Sequence, residues 1–189
     1  MKYFTYELIA AANDWTEQSE AMRLNANQRF SEVEKQYHSS LEELRPRISR
    51  QAWHFFANGH GRWGLHDGRL ISLSIGDGLD YRPDGTAPFR VNHQRTVARI
   101  VFLNYEQHLL YTFDLRGVSR MHNDLLRCEW VANWCLGDLY TYEISVVDKK
   151  QLQLGFLFAS GAEIDAQFTK LIFSRQRIKR EYAAGDMYR

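Results

Sequence analysis

Apolar residues recur at Phe30, Val33, Tyr37, Leu41 and Leu44. Steps of three and four place them on one stripe of a helix and turn Glu32, Glu34, Lys35, Glu42 and Glu43 to water. Residues 1–60 read as helical. The main helix is expected over Thr16–Leu44, capped by Asp14 or Thr16, with Glu17 and Glu20 complementing the dipole in its opening turns. Pro46 breaks the pattern. A shorter helix is expected over Ile48–Asn58, with Ile48, Ala52 and Phe55 inward, and Asn58-Gly59 supplies a residue tolerant of positive φ to stop it.

From about residue 69 the period shortens to two. "RLISLSI" sets Leu70 and Leu73 against Ser72 and Ser74, in imperfect alternation. Gly76-Asp77-Gly78 and Pro83-Asp84-Gly85 are turn material. "TVARIVFLNY" and "HLLYTFDL" read as buried strands separated by Glu106-Gln107. "LYTYEISVVD" and "LQLGFLFA" form a hairpin around Lys149-Lys150, and "IDAQFTKLIFSRQ" reads as one further strand, with Gly161 in the turn before it. Residues 120–137 fit a short helix on Leu125, Cys128 and Ala132, or a bent strand. Helices first and closely linked strands afterwards indicate an α+β fold with a largely antiparallel sheet, because parallel pairing needs longer crossovers. The organisation expected is a helical segment over 1–60 and a sheet domain over 61–189, forming one compact unit.

Composition narrows the class. The chain of 189 residues carries 11 Phe, 10 Tyr and 5 Trp, enough apolar bulk to argue against disorder. Net charge is +1, which gives no global pull toward nucleic acid or an anionic membrane. No run of about 20 apolar residues suggests a membrane span, and the start "MKYFTYELIAAANDW" lacks a signal-type apolar core. The expected compartment is the cytoplasm. Cys128 and Cys135 are spaced for neither zinc nor a redox pair and read as reduced core residues.

Candidate chemistry gathers in "HFFANGHGRWGLHDG", residues 54–68. His54, His60 and His66 lie six apart, unlike the close helical or turn pairs of a zinc site. His54 falls in the last turn of a helix, where an imidazolium meets the dipole. His60 lies in a glycine-flanked turn. At the turn's end, Asp67 can accept backbone N–H bonds while His66 rests against the sheet. The functional alternative is Asp67 orienting His66 as a general base. No metal site and no cofactor is expected; "GDG" lacks the ordered carboxylates of a calcium loop, and no Walker loop or nucleophile elbow occurs. "HND" at 122–124 fits a loop or a cap as well as a polar site. Trp53, Trp63, Trp130 and Trp134, with Phe55 and Phe56, suit either an aromatic core or a partner surface. Lys170, Arg175, Arg177, Lys179 and Arg180, near aromatics, could grip phosphates. The same charges also guard an edge strand against unwanted pairing, and that reading is preferred to nucleic-acid binding.

"MKYFTYEL", "LHDGRLISLSI" at 65–75 and "YTYEISVVDKKQLQLGFLF…TKLIF" together resemble the bacterial family catalogued as domain of unknown function 4085. The resemblance implies a soluble bacterial α+β protein with no established activity. A weaker similarity, in the "HD" that opens a strand, is to immunity proteins of bacterial toxin systems and implies binding. The expectation is therefore a non-enzymatic binding module with a protein partner; the alternative is a small metal-dependent or hydrolase-like enzyme using His66 and Asp67.

Overall fold

The computed structural model describes residues 1–13, 19–58, 64–76, 96–124 and 138–178. Three helices come first: α1 (Tyr6–Ala12), α2 (Glu20–Leu44) and α3 (Arg50–Ala57). Each is capped by a hydroxyl. Thr5, Ser19 and Ser49 accept from the backbone N–H of Leu8, Met22 and Ala52, worth about 1 kcal/mol apiece. Ser19 therefore takes the capping role expected of Asp14 or Thr16, and Glu20 is the acid in the first turn; Asp14, Thr16 and Glu17 lie outside the described residues. On α2 the predicted stripe is the packed one. Tyr37, Leu41 and Leu44 are buried, and Phe30 and Val33 lean on the same core. α3 ends at Asn58, but not through positive φ: its φ is −115°, and its side-chain amide donates to the His54 carbonyl at 2.9 Å.

Among the described residues eight strands follow: β1 (Arg69–Gly76), β2 (Val97–Leu103), β3 (Leu109–Arg116), β4 (Arg120–Asn123), β5 (Leu139–Val146), β6 (Leu152–Phe158), β7 (Glu163–Phe168) and β8 (Lys170–Arg177). They make two antiparallel sheets, ordered β1-β2-β3-β8 and β4-β7-β6-β5. The α+β class and antiparallel pairing agree with the sequence pattern, but a single sheet does not. "IDAQFTKLIFSRQ" is two strands, because the chain changes sheets at Thr169. β3 and β4 change sheets in the same place, at Gly117, whose φ is +64°. An added Cβ there would come within 2.4 Å of Thr169 Oγ1, so only glycine allows the two bends to nest. Backbone bonds from Thr169 to Arg116 and from Ser119 to Gln167 carry the pairing through the bend. The result is one long two-stranded ribbon shared by both sheets.

The sheets also meet at an isolated bridge between Gly68 and Leu139. Between them lies an aromatic core in which Phe102 meets Phe156 at 4.7 Å and Phe113 meets Phe156 at 5.3 Å between ring centroids. α3 contributes Phe55 and Phe56. Phe55 stacks on Tyr142 of one sheet at 5.0 Å and packs on Phe173 of the other at 4.8 Å. The irregularity of "RLISLSI" has a cause: a β-bulge between Leu70 and Ser72 leaves Ile71 52 % exposed and returns Leu73 and Ile75 to positions opposite Ile100 and Ala98.

Glu143 is the more deeply buried of two buried acids among the described residues, the other being Asp165. Glu143 lies on β5, and its carboxylate accepts the backbone N–H groups of Lys2, Tyr3 and Phe4, which holds the segment before α1 against the sheet. Beside it, the Tyr37 hydroxyl accepts from Ile144 N–H at 3.3 Å, and burial pushes its ionisation far above that of an ordinary phenol.

Candidate functional site

The turn Leu65–Gly68 holds the first candidate pair. Asp67 has φ +60°, left-handed backbone that Asp tolerates better than most residues. That turn lets Asp67 N–H donate to Leu139 O, Gly68 N–H donate to Leu65 O, and Leu139 N–H donate to Gly68 O, each at 2.8 Å. It thereby closes one sheet onto the other. The His66 Nδ1 lies 3.0 Å from Asp67 Oδ1, and both side chains are 49 % exposed. The imidazole rests on the Tyr140 ring at 5.4 Å. Burial raises the ionisation of the Tyr140 hydroxyl, its hydrogen bond with Asn13 opposes this, and the Asp67 charge adds to the rise. Neither His66 nor Asp67 lines any of the three clefts described below.

His54 stands apart, exposed in the last turn of α3 with its ring edge-on to Trp53 at 5.2 Å. Its Nε2 accepts from Arg50 Nε at 3.3 Å. His60 lies outside the described residues, as do Trp63, Trp130, Trp134, Cys128, Cys135, Lys179 and Arg180. Among the described residues, no three His, Cys, Asp or Glu side chains gather as a metal site would require. "HND" opens on the end of β4, where His122 pairs with Asp165 across the sheet.

Trp53 is half-buried where α2 meets α3. Its indole N–H donates to the Leu41 carbonyl at 3.1 Å, and the Arg45 guanidinium lies over its ring at 5.1 Å. Next to it a groove opens between α3 and the ends of β3 and β8. Its middle compartment, about 420 Å³, has Phe55, Tyr111 and Phe173 as its floor and Gln51, Asn58 and Arg175 on its rim. His54 also belongs to a second compartment of about 510 Å³ with Arg45, Arg50 and Trp53. Arg175 also belongs to a third, about 360 Å³, with His108, Leu109 and Arg177. His54 and Arg175 stand as walls between neighbours, so the three compartments lie side by side along this face.

Register explains the cations. Leu171, Phe173, Arg175 and Arg177 face one way on β8, opposite Leu115, Phe113, Tyr111 and Leu109 of β3. The first two are buried in the core, whereas the arginines continue the same row into solvent. Arg175 hydrogen-bonds the Tyr111 hydroxyl; burial raises the ionisation of that phenol, and the guanidinium opposes the rise. The sequence pattern singled out Arg175 and Arg177 but not their partners Arg45, Arg50, Tyr111 and Phe173. The readable signal was the alternation at 171, 173, 175 and 177, which carries charge onto a core-facing row.

No family model, no curated protein and no solved structure matches the chain. No described helix is long and apolar enough to cross a membrane.

Proposed function

We propose that this chain is a non-enzymatic, protein-interaction module that binds through the groove between α3, β3 and β8. One observation carries the reading: Arg45, Arg50, Arg175 and Arg177 line three adjacent compartments, the middle one floored by Phe55, Tyr111 and Phe173, and none of their described lining residues is acidic. Arginine and aromatic residues in a partly desolvated cleft are what interaction hot spots are made of. A bacterial, cytoplasmic protein of the kind that the resemblance to domain of unknown function 4085 implies, with an immunity-like role against a partner protein, accords with this.

Site-specific photo-crosslinking tests it. A photoreactive residue at Gln51, on the rim, should give a discrete protein adduct in bacterial cells, lost on Arg175→Gln. The same residue at Lys149, exposed on the β5–β6 turn, should not. Identical adducts from both positions, or none from Gln51, would reject the reading.

The hydrolase-like alternative has the 3.0 Å contact from His66 Nδ1 to Asp67 Oδ1 in its favour, since a carboxylate on Nδ1 is how a general base is oriented. Its test is metal analysis of the purified protein with His66→Ala. Stoichiometric metal lost on substitution, with the fold intact, would favour the enzyme.

A further inference from the structure

The groove's charge, shape and ring geometry together define what fits it. Arginines stand at both ends: Arg45 and Arg50 beside Trp53, and Arg175 and Arg177 beyond Tyr111. Among the described residues, Glu42 lies 3.7 Å from Arg45 and Glu106 lies 3.3 Å from His108, and neither lines the compartments. Between the two basic ends lies the apolar floor. An occupant complementary to this surface presents anions at two separated places with an apolar group between them.

Two features narrow its chemistry. Guanidinium groups present a planar fork that matches carboxylates as well as phosphates. The ring faces, however, are already engaged. Phe55 lies stacked on Tyr142 with planes 16° apart, and Tyr111 and Phe173 are buried. The Trp53 face carries Arg45. Single-stranded nucleic acid needs free ring faces on which bases stack, and the rings of this floor are stacked on core neighbours or buried. Three compartments side by side, separated by His54 and Arg175, also suit a chain better than a compact molecule. Charges on an edge strand can serve only to discourage strand pairing, but that role does not require matching arginines across the groove at the end of α2 and the start of α3.

We propose that the groove receives an extended acidic segment of a partner protein, with carboxylates on Arg175–Arg177 at one end and Arg45–Arg50 at the other, and one apolar or aromatic side chain resting over Phe55 between them. This deepens the interaction reading and rests on it.

The probes are a random glutamate–tyrosine copolymer, polyglutamate, oligothymidylate and inorganic phosphate, each titrated against the whole chain. Expected results are binding of the copolymer about tenfold tighter than of polyglutamate, and a further loss of about tenfold in Arg175→Gln/Arg177→Gln. Gln51→Glu, a change at an exposed helix position that leaves the core untouched, should weaken the copolymer through repulsion and so guards against a variant that merely misfolds. Equal binding of the two polymers, or indifference to these substitutions, would overturn the proposal. So would tighter binding of oligothymidylate, which would make the groove a nucleic-acid site, or displacement of the copolymer by phosphate at comparable concentration, which would make it a small-anion site. A groove-dependent cross-link without copolymer binding refutes the acidic segment alone; absence of both refutes the module as well.

Discussion

The turn at Leu65–Gly68 and the groove at α3–β8 are built in opposite ways. The turn's polar residues are neighbours in the chain: His66 and Asp67 meet side chain to side chain, while the main-chain Asp67 N–H and Gly68 O both reach Leu139. The groove's polar residues come from segments more than a hundred positions apart, and its arginines face solvent across an apolar floor. A cluster conspicuous in sequence joins two sheets through its backbone, whereas the proposed recognition surface is assembled only by folding. Tyr142 connects the two regions. Its hydroxyl hydrogen-bonds the Leu65 backbone, and its ring is the one on which Phe55 stacks.

The most disruptive way to probe this contrast is Phe55→Ala, which removes the ring common to groove floor and core. A loss of about 3 kcal/mol in urea unfolding is expected. Gly68→Ala attacks the turn, where a Cβ would meet Leu65 O at 2.8 Å and Leu103 O at 3.0 Å. Both obstacles are backbone, and a loss of about 2 kcal/mol is expected.

Tyr142 sharpens the comparison through pH. Burial, the largest cause, raises its folded ionisation well above that of a free phenol. Its contribution to stability is therefore intact below the unfolded value of about 10 and declines as pH rises through the folded value. Urea midpoints measured from pH 8 upward should fall on the alkaline side, and Tyr142→Phe should flatten that fall. A variant with the same alkaline slope as the parent would remove Tyr142 as the link.

The smallest stability effects discriminate best. Asp67→Asn and His66→Ala should each shift stability by no more than about 0.5 kcal/mol, because Asn also tolerates left-handed backbone and the imidazole is half-exposed. Arg175→Gln/Arg177→Gln should be equally mild in thermal unfolding while abolishing the groove-dependent cross-link. If the histidine variant rather than the arginine pair were the one to lose binding, the assignment of roles would reverse.

Much of this architecture was legible. The Phe30–Leu44 stripe survives because a helix of 25 residues repeats its period many times. The hairpin around Lys149-Lys150 survives because alternation on both sides agrees. What escaped has a common signature. Leu70 to Leu73 and Phe168 to Leu171 are apolar steps of three inside runs of period two. The first is the bulge that ejects Ile71, and the second is the change of sheet at Thr169. Alternation describes a strand only while it stays in one sheet and one register, so a single odd step breaks the reading. The groove was legible in part: Arg175 and Arg177 stood out, but α3's place beside them depends on contacts that no local pattern contains. Glu143 was visible as the one acid in an apolar strand, yet its backbone partners lie some 140 residues away.

The ribbon of β3–β4 with β7–β8 has a practical corollary. A cut at Lys149–Lys150 would yield two pieces, the first holding one strand of the ribbon and the second its mate. Neither piece could complete either layer by itself, so their reunion would restore both layers in one step or not at all. The fold would then behave as a two-input gate, a property suited to reporting whether two fused proteins have come together.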